Sequence, residues 1–345
     1  MHPEVHAFRR GWRALAVVFV SALGLLGIVG SGSVDAPECS FFSGSCNPSG
    51  VPIEPIPMAL VVPARLTVQA GGTAVFSAQS NIGIASYQWQ RSSDGGQTFV
   101  DIAGATASAY SLSNVQLSDD AVVLRVRVQG GGSSAGSTAV ATGRLAVSSL
   151  PGVVFEDADF QPAGWAVSAT AVPPQGGPTQ TAERLAAGGN PGAYRSMVHA
   201  MTAGPSSLRV FHVSLSASYD PPSQGAIHVI DYREDCIRQG TGTSAGNVQA
   251  TLLLEQGGRR YVTVASTLCT AAVWAAVDGI NSQGAADFVQ VDGPVCQAGA
   301  SCPDFAASAA PLRFGFTRRV ALSAGQPAGT VVHGLDNWKL TVWRR

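Results

Sequence analysis

The chain is short of charge. Asp, Glu, Lys and Arg make up 12% of its 345 residues, the formal net charge is -1, and the arginines stand singly along apolar stretches. A nucleic-acid partner requires a basic stripe or patch, so nucleic acid is not an expected ligand. Long helix-forming runs are also lacking, because 40 Gly and 20 Pro interrupt the sequence throughout, and an all-β chain is expected. Zinc-type clusters are missing: no C-x-x-C pair occurs with histidines nearby, and His228 and His333 have no partner at metal spacing. Cysteine is absent from the whole stretch between Cys46 and Cys236. A domain lying wholly within that stretch is held by packing alone.

What is present begins with Arg9, Arg10 and Arg13, then an apolar run from Ala14 to Gly30, then the small residues of "SGSVDA". This is the order of a signal peptide, assigned to residues 1–33. As a helix the run would rise roughly 25 Å, short of the roughly 30 Å hydrocarbon core. Export with cleavage is therefore expected, giving a secreted, periplasmic or cell-surface chain without a stable membrane span. All six cysteines follow the leader, and an even count after an export signal suggests disulfides. The economical pairing joins the near neighbours Cys39 with Cys46 and Cys296 with Cys302, which leaves Cys236 for Cys269. Residues 34–63, with "CNPSGVPIEPIPMALVVP", read as a proline-rich, disulfide-stapled linker.

From 64 to 148, short alternating runs recur: "RLTV", "TAVFSA", "SYQWQRS", "TFVDI", "SAYSL", "AVVLRVRV" and "TGRLAV". Gly, Asp, Asn and Ser separate them, as expected for a small sandwich. The segment "YQWQRSSDGGQTFVDIAGAT" resembles the central strand and following hairpin of bacterial immunoglobulin-like modules of exported proteins. The resemblance implies a core Trp89 and places the two disulfide positions of antibody-type domains on Ala78 and Val126. Both are apolar, so the expected core is Trp89, Ala78 and Val126, closed by volume and not by a crosslink.

Residues 153–345 carry longer strand-like runs, among them "LRVFHVSLSASY", "AIHVIDYRED" and "PLRFGFTRRV", and "LLLEQGGRRYVTV" reads as a hairpin turning on Gly257 and Gly258. A second, larger two-sheet sandwich of the jelly-roll type is expected. Its opening "FEDADFQPAGW" and closing "GLDNWKLTV" resemble the first and last strands of jelly-roll carbohydrate-binding modules and concanavalin-like lectin domains. That resemblance implies a glycan ligand and a structural calcium shared by Glu156 and Asp336.

Strand phase sorts the remaining candidates. In "DNWKLTVW", Trp338 alternates with Leu340 and Val342 and belongs to the core, whereas Trp343 falls on the opposite face and is a candidate sugar platform, together with Tyr232 and Tyr261. His212 lies opposite Phe211 and Val213 and is expected in solvent. "GTSAG" around Ser244 matches G-x-S-x-G, but the strand after it is not the helix a nucleophile elbow needs. The acids Glu156, Asp157, Asp159, Asp231, Glu234 and Asp235 read as turn and edge residues and not as a hydrolytic pair. The expectation is an exported, non-catalytic protein that binds a glycan through the larger domain, with the smaller one as spacer or interaction module. The alternatives are a structural or protein-binding cell-surface protein and, third, a polysaccharide-active enzyme.

Overall fold

A computed structural model describes residues 57–345 apart from 174, 240–246, 292, 294, 295 and 297–300. The leader, most of the linker, Cys39, Cys46 and Ser244 lie outside the described residues. The chain is all-β. Eight strands form the first sandwich: β1 (Ala59–Val62), β2 (Arg65–Gln69), β3 (Ala74–Ser80), β4 (Ile84–Ser92), β5 (Val100–Asp101), β6 (Ala109–Leu112), β7 (Val123–Gly130) and β8 (Thr138–Ser148). One sheet has the order β1-β3-β6 and the other β2-β8-β7-β4-β5. The first strand is split at Pro63, which has no N–H to continue a ladder. Its first half pairs with β3 and its second half runs parallel to β8. This is the immunoglobulin-like arrangement.

Its core is built by alternation. Trp89, Val126 and Phe76 are fully buried, Trp89 stands directly opposite Val126, and its indole N–H donates to the Ala107 carbonyl at 2.9 Å. Ala78 is only half-buried, and it is Phe76, two residues earlier on the same face, that fills most of the space. Gly143 makes room for it, since a Cβ there would come within 2.9 Å of the Phe76 ring.

The second sandwich comprises β9 (Val153–Asp157), β10 (Trp165–Val172), β11 (Thr179–Gly189), β12 (Gly192–Met201), β13 (Ser206–Tyr219), one turn of helix at Pro221–Gln224, β14 (Ile227–Gln239), β15 (Val248–Gln256), β16 (Arg259–Thr263), β17 (Thr267–Cys269), β18 (Ala275–Gln283), β19 (Phe288–Gln290), β20 (Leu312–Leu322) and β21 (Gly329–Arg344). One sheet runs β10-β13-β20-β15-β16-β19, with β17 beside the first half of β15. The other runs β11-β12-β21-β14-β18, with β9 beside the second half of β21. Trp165, Trp338, Phe314, Phe316, Tyr232 and Tyr261 pack between them. Disulfides join Cys236 to Cys269 and Cys296 to Cys302. Bonds of this kind fit an extracellular protein. No helix among the described residues is long and apolar enough to cross a membrane.

Candidate functional site

Turns and register bring one set of side chains onto the outer face of the β10-β13-β20-β15-β16-β19 sheet. Gly257 and Gly258 have φ of 56° and 75°, the left-handed values that a two-residue hairpin requires at both positions. The hairpin sets Glu255 opposite Arg260. Antiparallel pairing then aligns four rows across the face: Thr170, Arg209, Arg319 and Gln249; Ser168, Phe211, Thr317 and Thr251; Ala166, Val213, Gly315, Leu253 and Val262; Ser218, Arg313, Glu255 and Arg260. Phe211, Val213, Leu253 and Val262 form a buried apolar floor. Above it lie two depressions, one of about 800 Å³ reaching from Thr170 to Arg259, Arg260 and Arg313, and one of about 260 Å³ bordered by Arg209, Gln249, Thr251, Thr317 and Arg319. Together they make a groove. Arg260 lies over the Phe211 ring at 4.7 Å and is paired with Glu255 at 2.8 Å. The Thr251 and Thr317 hydroxyls are 2.5 Å apart, and Gln249 accepts from Arg319 at 3.4 Å.

The predicted sugar platforms are elsewhere. Tyr232 and Tyr261 are 1% and 3% exposed and belong to the core between the sheets, so neither offers a ring face to a ligand. Trp343 does point away from that core. It is half-buried all the same, with its indole N–H donating to Asp231 at 2.7 Å and the chain at Gly152 against its ring. Trp338 is a core residue at 1% exposure.

The predicted calcium pair also separates. Glu156 stands opposite Lys339, exposed and ion-paired to it at 3.1 Å, while Asp336 is buried and stands opposite Asp235. Three residues of extended strand, roughly 10 Å, keep the two carboxylates apart, and they do not fit one ion. Around Asp336 stand instead Asp235, Asn190 and Asn337: Asn337 Nδ2 donates to Asp235 at 2.7 Å, and the Asn190 and Asn337 backbone N–H groups donate to Asp336. Burial and the neighbouring Asp235 raise the Asp336 pKa.

His212, expected in solvent, is fully buried. Its strand has the expected alternation, but the Phe211 face is the groove floor, and His212 points between the sheets. There it stacks on Phe316 at 4.4 Å and accepts from Arg195 at 3.2 Å. His199 and His333 meet edge to face at 4.7 Å. Close by, Arg318 donates to Glu234 at 2.7 Å, and the Tyr232 hydroxyl donates to the same carboxylate. Both ring nitrogens of His199 and His333 lack a hydrogen-bond partner among the described residues. Burial, reinforced by the arginine charges, lowers the His199 pKa to about 3 and holds His212 and His333 well below the usual value. All three are neutral at physiological pH.

The other acids are also engaged. Asp157 accepts from Trp165, Asp159 pairs with Arg184, and Asp231 sits where the two sandwiches meet. At that joint Thr67 bridges Asp231 and Ser282 at 3.1 and 2.6 Å, Arg65 forks onto Asp287 at 2.9 and 3.1 Å, and His228 meets Asp120 at 2.9 Å. Residues missed in the sequence are the groove arginines, Arg209, Arg259, Arg260, Arg313 and Arg319. For Arg209, Arg313 and Arg319 the signal was the period of two in "LRVFHV" and "LRFGFTRR", which puts Arg313 and Arg319 on one face of their strand; Arg259 and Arg260 follow the Gly257–Gly258 turn and had no such signal.

Residues 60–144 match a family model described as a domain of unknown function, DUF8696. None of the curated proteins matches the chain. The chain is similar to the solved structure of Dscam1 isoform 8.4, N-terminal four Ig domains, at 20% identity over 26% of this chain and 20% of that one, with a TM-score of 0.22. It is similar also to a marsupial T cell receptor, at 15% identity over 45% of this chain and 93% of that one, with a TM-score of 0.23. The chain thus spans about a fifth of the length of the Dscam1 chain it matches. Likenesses of this extent say nothing of what the chain binds.

Proposed function

We propose that this is a non-catalytic, exported binding protein that holds a glycan in the groove of the larger sandwich, with the immunoglobulin-like module fixed beside it as a spacer or interaction module. The observation that carries the reading is the groove itself. An apolar floor flanked by hydroxyl, amide and guanidinium groups is the composition of a ligand cleft, in which a few polar groups fix orientation. With Trp343, Tyr232 and Tyr261 all engaged elsewhere, sugar would be held by hydrogen bonds more than by stacking. A non-catalytic role is supported by the acids. Glu255 is the one carboxylate lining the groove among the described residues, and it is tied to Arg260, whereas glycoside hydrolysis requires two.

The test is retention of the purified full-length protein on a glycan array, followed by titration calorimetry. At least one glycan class should be retained, and Gln249→Ala combined with Thr251→Val should weaken binding about tenfold, the loss of one or two hydrogen bonds. Retention on no glycan removes this reading and favours the structural or protein-binding role. That role draws its support from the polar joint that fixes the two sandwiches to each other.

A further inference from the structure

The groove is far more cationic than the chain that forms it. Over the whole sequence 21 Lys and Arg balance 22 Asp and Glu, yet the two depressions are lined by five arginines and one glutamate. Arg260 neutralises that glutamate. Among the described residues, the Arg259 and Arg313 side chains make no hydrogen bond or ion pair, and both residues are exposed. Arg319 at the far end holds only the neutral Gln249.

Spacing says what size of anion this suits. Arg313 and Arg319 lie on the same face of β20, six residues apart, about 20 Å at roughly 3.3 Å per residue. A single small anion cannot reach both, but an extended oligomer with repeated acidic groups can. Between the arginine rows stand Ser168 and Thr251, hydroxyls suited to a polyhydroxylated chain, with the buried Thr317 bonded to Thr251. Phe211 lies buried beneath Arg260, so the groove offers no open ring for a nucleic-acid base to stack on. A peptide strand would add to a sheet edge, where backbone groups are free, and not to a sheet face.

We propose that the groove selects an anionic glycan, a linear chain bearing carboxylate or sulfate groups, through forked contacts from Arg259 and Arg313 at one end and Arg209 and Arg319 at the other. This rests on the reading of the groove as a glycan site. Guanidinium groups suit such ligands because their planar forks meet the two oxygens of a carboxylate or sulfate at once.

The full-length protein should be titrated with polygalacturonate, with the same polymer fully methyl-esterified, with dextran sulfate and with poly-glutamate. Polygalacturonate or dextran sulfate should bind, the ester should bind at least tenfold more weakly, and affinity should fall as salt rises from about 50 to about 500 mM. Arg259→Ala with Arg313→Ala should cost at least tenfold without changing the melting temperature, and Lys at both positions should recover part of the loss. Equal binding of the ester, with the alanine variant unaffected, would overturn charge selection and leave the glycan reading standing. Failure of every saccharide would remove both. Poly-glutamate binding as tightly as polygalacturonate would show that an acidic peptide, and not a glycan, is the ligand.

Discussion

Between the sheets of the smaller sandwich lie Trp89, Phe76, Leu124, Val126 and their neighbours, an apolar cluster throughout. Its buried acid Asp119 sits at the rim, paired with Arg91 at 2.8 Å. Between the sheets of the larger lie many more aromatic rings, crossed by a band of Arg195, His199, His212, His333, Arg318 and Glu234. The smaller core has no crosslink; the larger is tied by Cys236–Cys269, whose sulfurs join β14 of one sheet to β17 of the other. A core closed by volume needs nothing but shape. A core that contains ionisable groups spends part of its hydrophobic gain on desolvating them, and a covalent tie offsets some of that cost by restricting the unfolded chain.

The contrast is broken most forcefully by acid. His199, His212 and His333 remain neutral in the folded protein because burial lowers their pKa values from 6.5, whereas in the unfolded chain they protonate normally. Their contribution is present above pH 6.5 and is lost as pH falls below it, because the unfolded state binds more protons. Charging any of them in place would also set it against Arg195 or Arg318, with only Glu234 inside the band and Asp157 near Arg195 to compensate. Arg238 adds to the repulsion at His333. Three such groups lower stability by about 5 kcal/mol between pH 6.5 and pH 5. Urea unfolding of the larger sandwich across that range should show a steeply falling midpoint, while the smaller sandwich keeps its own. Equal behaviour of the two would refute the assignment.

The next largest effect comes from the ion pair. Arg318 is buried at a cost, and it remains cationic because Glu234, helped by Tyr232, more than offsets that cost. Glu234→Gln leaves that charge unpaired, and a loss of about 3–5 kcal/mol is expected. Replacing both residues with Met should cost less than the single change, since no buried charge remains. Trp89→Ala gives the matched measurement in the apolar core, also about 3–5 kcal/mol, but independent of pH. Reduction of Cys236–Cys269, which closes a loop with a separation of 33 residues, should cost about 2–4 kcal/mol in the larger sandwich alone. Cys296–Cys302, separated by 6, should matter less.

The same contrast explains what could be read in advance. In the smaller domain the middle of β7 has one wet face, so alternation identifies the inside, and Val126 and its partner Trp89 are legible from Arg125 and Arg127 on the other face. In the larger domain the outer face of β13 also buries apolar side chains, Phe211 and Val213, so both faces of the strand look like a core. Alternation there says which residues share a face but not which face is the core: hence His212, grouped correctly against Phe211 and Val213 and placed on the wrong side. The groove was invisible for the same reason, since Arg209, Arg313 and Arg319 sit on strands whose neighbours are set by register across the chain. Glu156 and Asp336 failed as a pair because β21 changes partner along its length, meeting β12 and then β9.

The smallest effect lies where the two sandwiches meet, and it has the opposite dependence on pH. Asp231 is half-buried at the joint, and desolvation there raises its pKa against donors from Ser282 N–H, the Trp343 indole and the Thr67 hydroxyl. For an acid of raised pKa the cost of burial applies above that pKa and is relieved as pH falls through it, so acid favours the joint while it undermines the histidine band. Thr67→Val removes one of the three donors. The other two keep the carboxylate satisfied, and the cost should be about 1 kcal/mol. It should appear as faster proteolysis of the connecting residues 149–152 at neutral pH, with the melting of each sandwich nearly unchanged. If the variant instead lowered both melting temperatures together, the joint would have to count as part of one common core, and the separation drawn between a packed domain and a charge-bearing one would fail there.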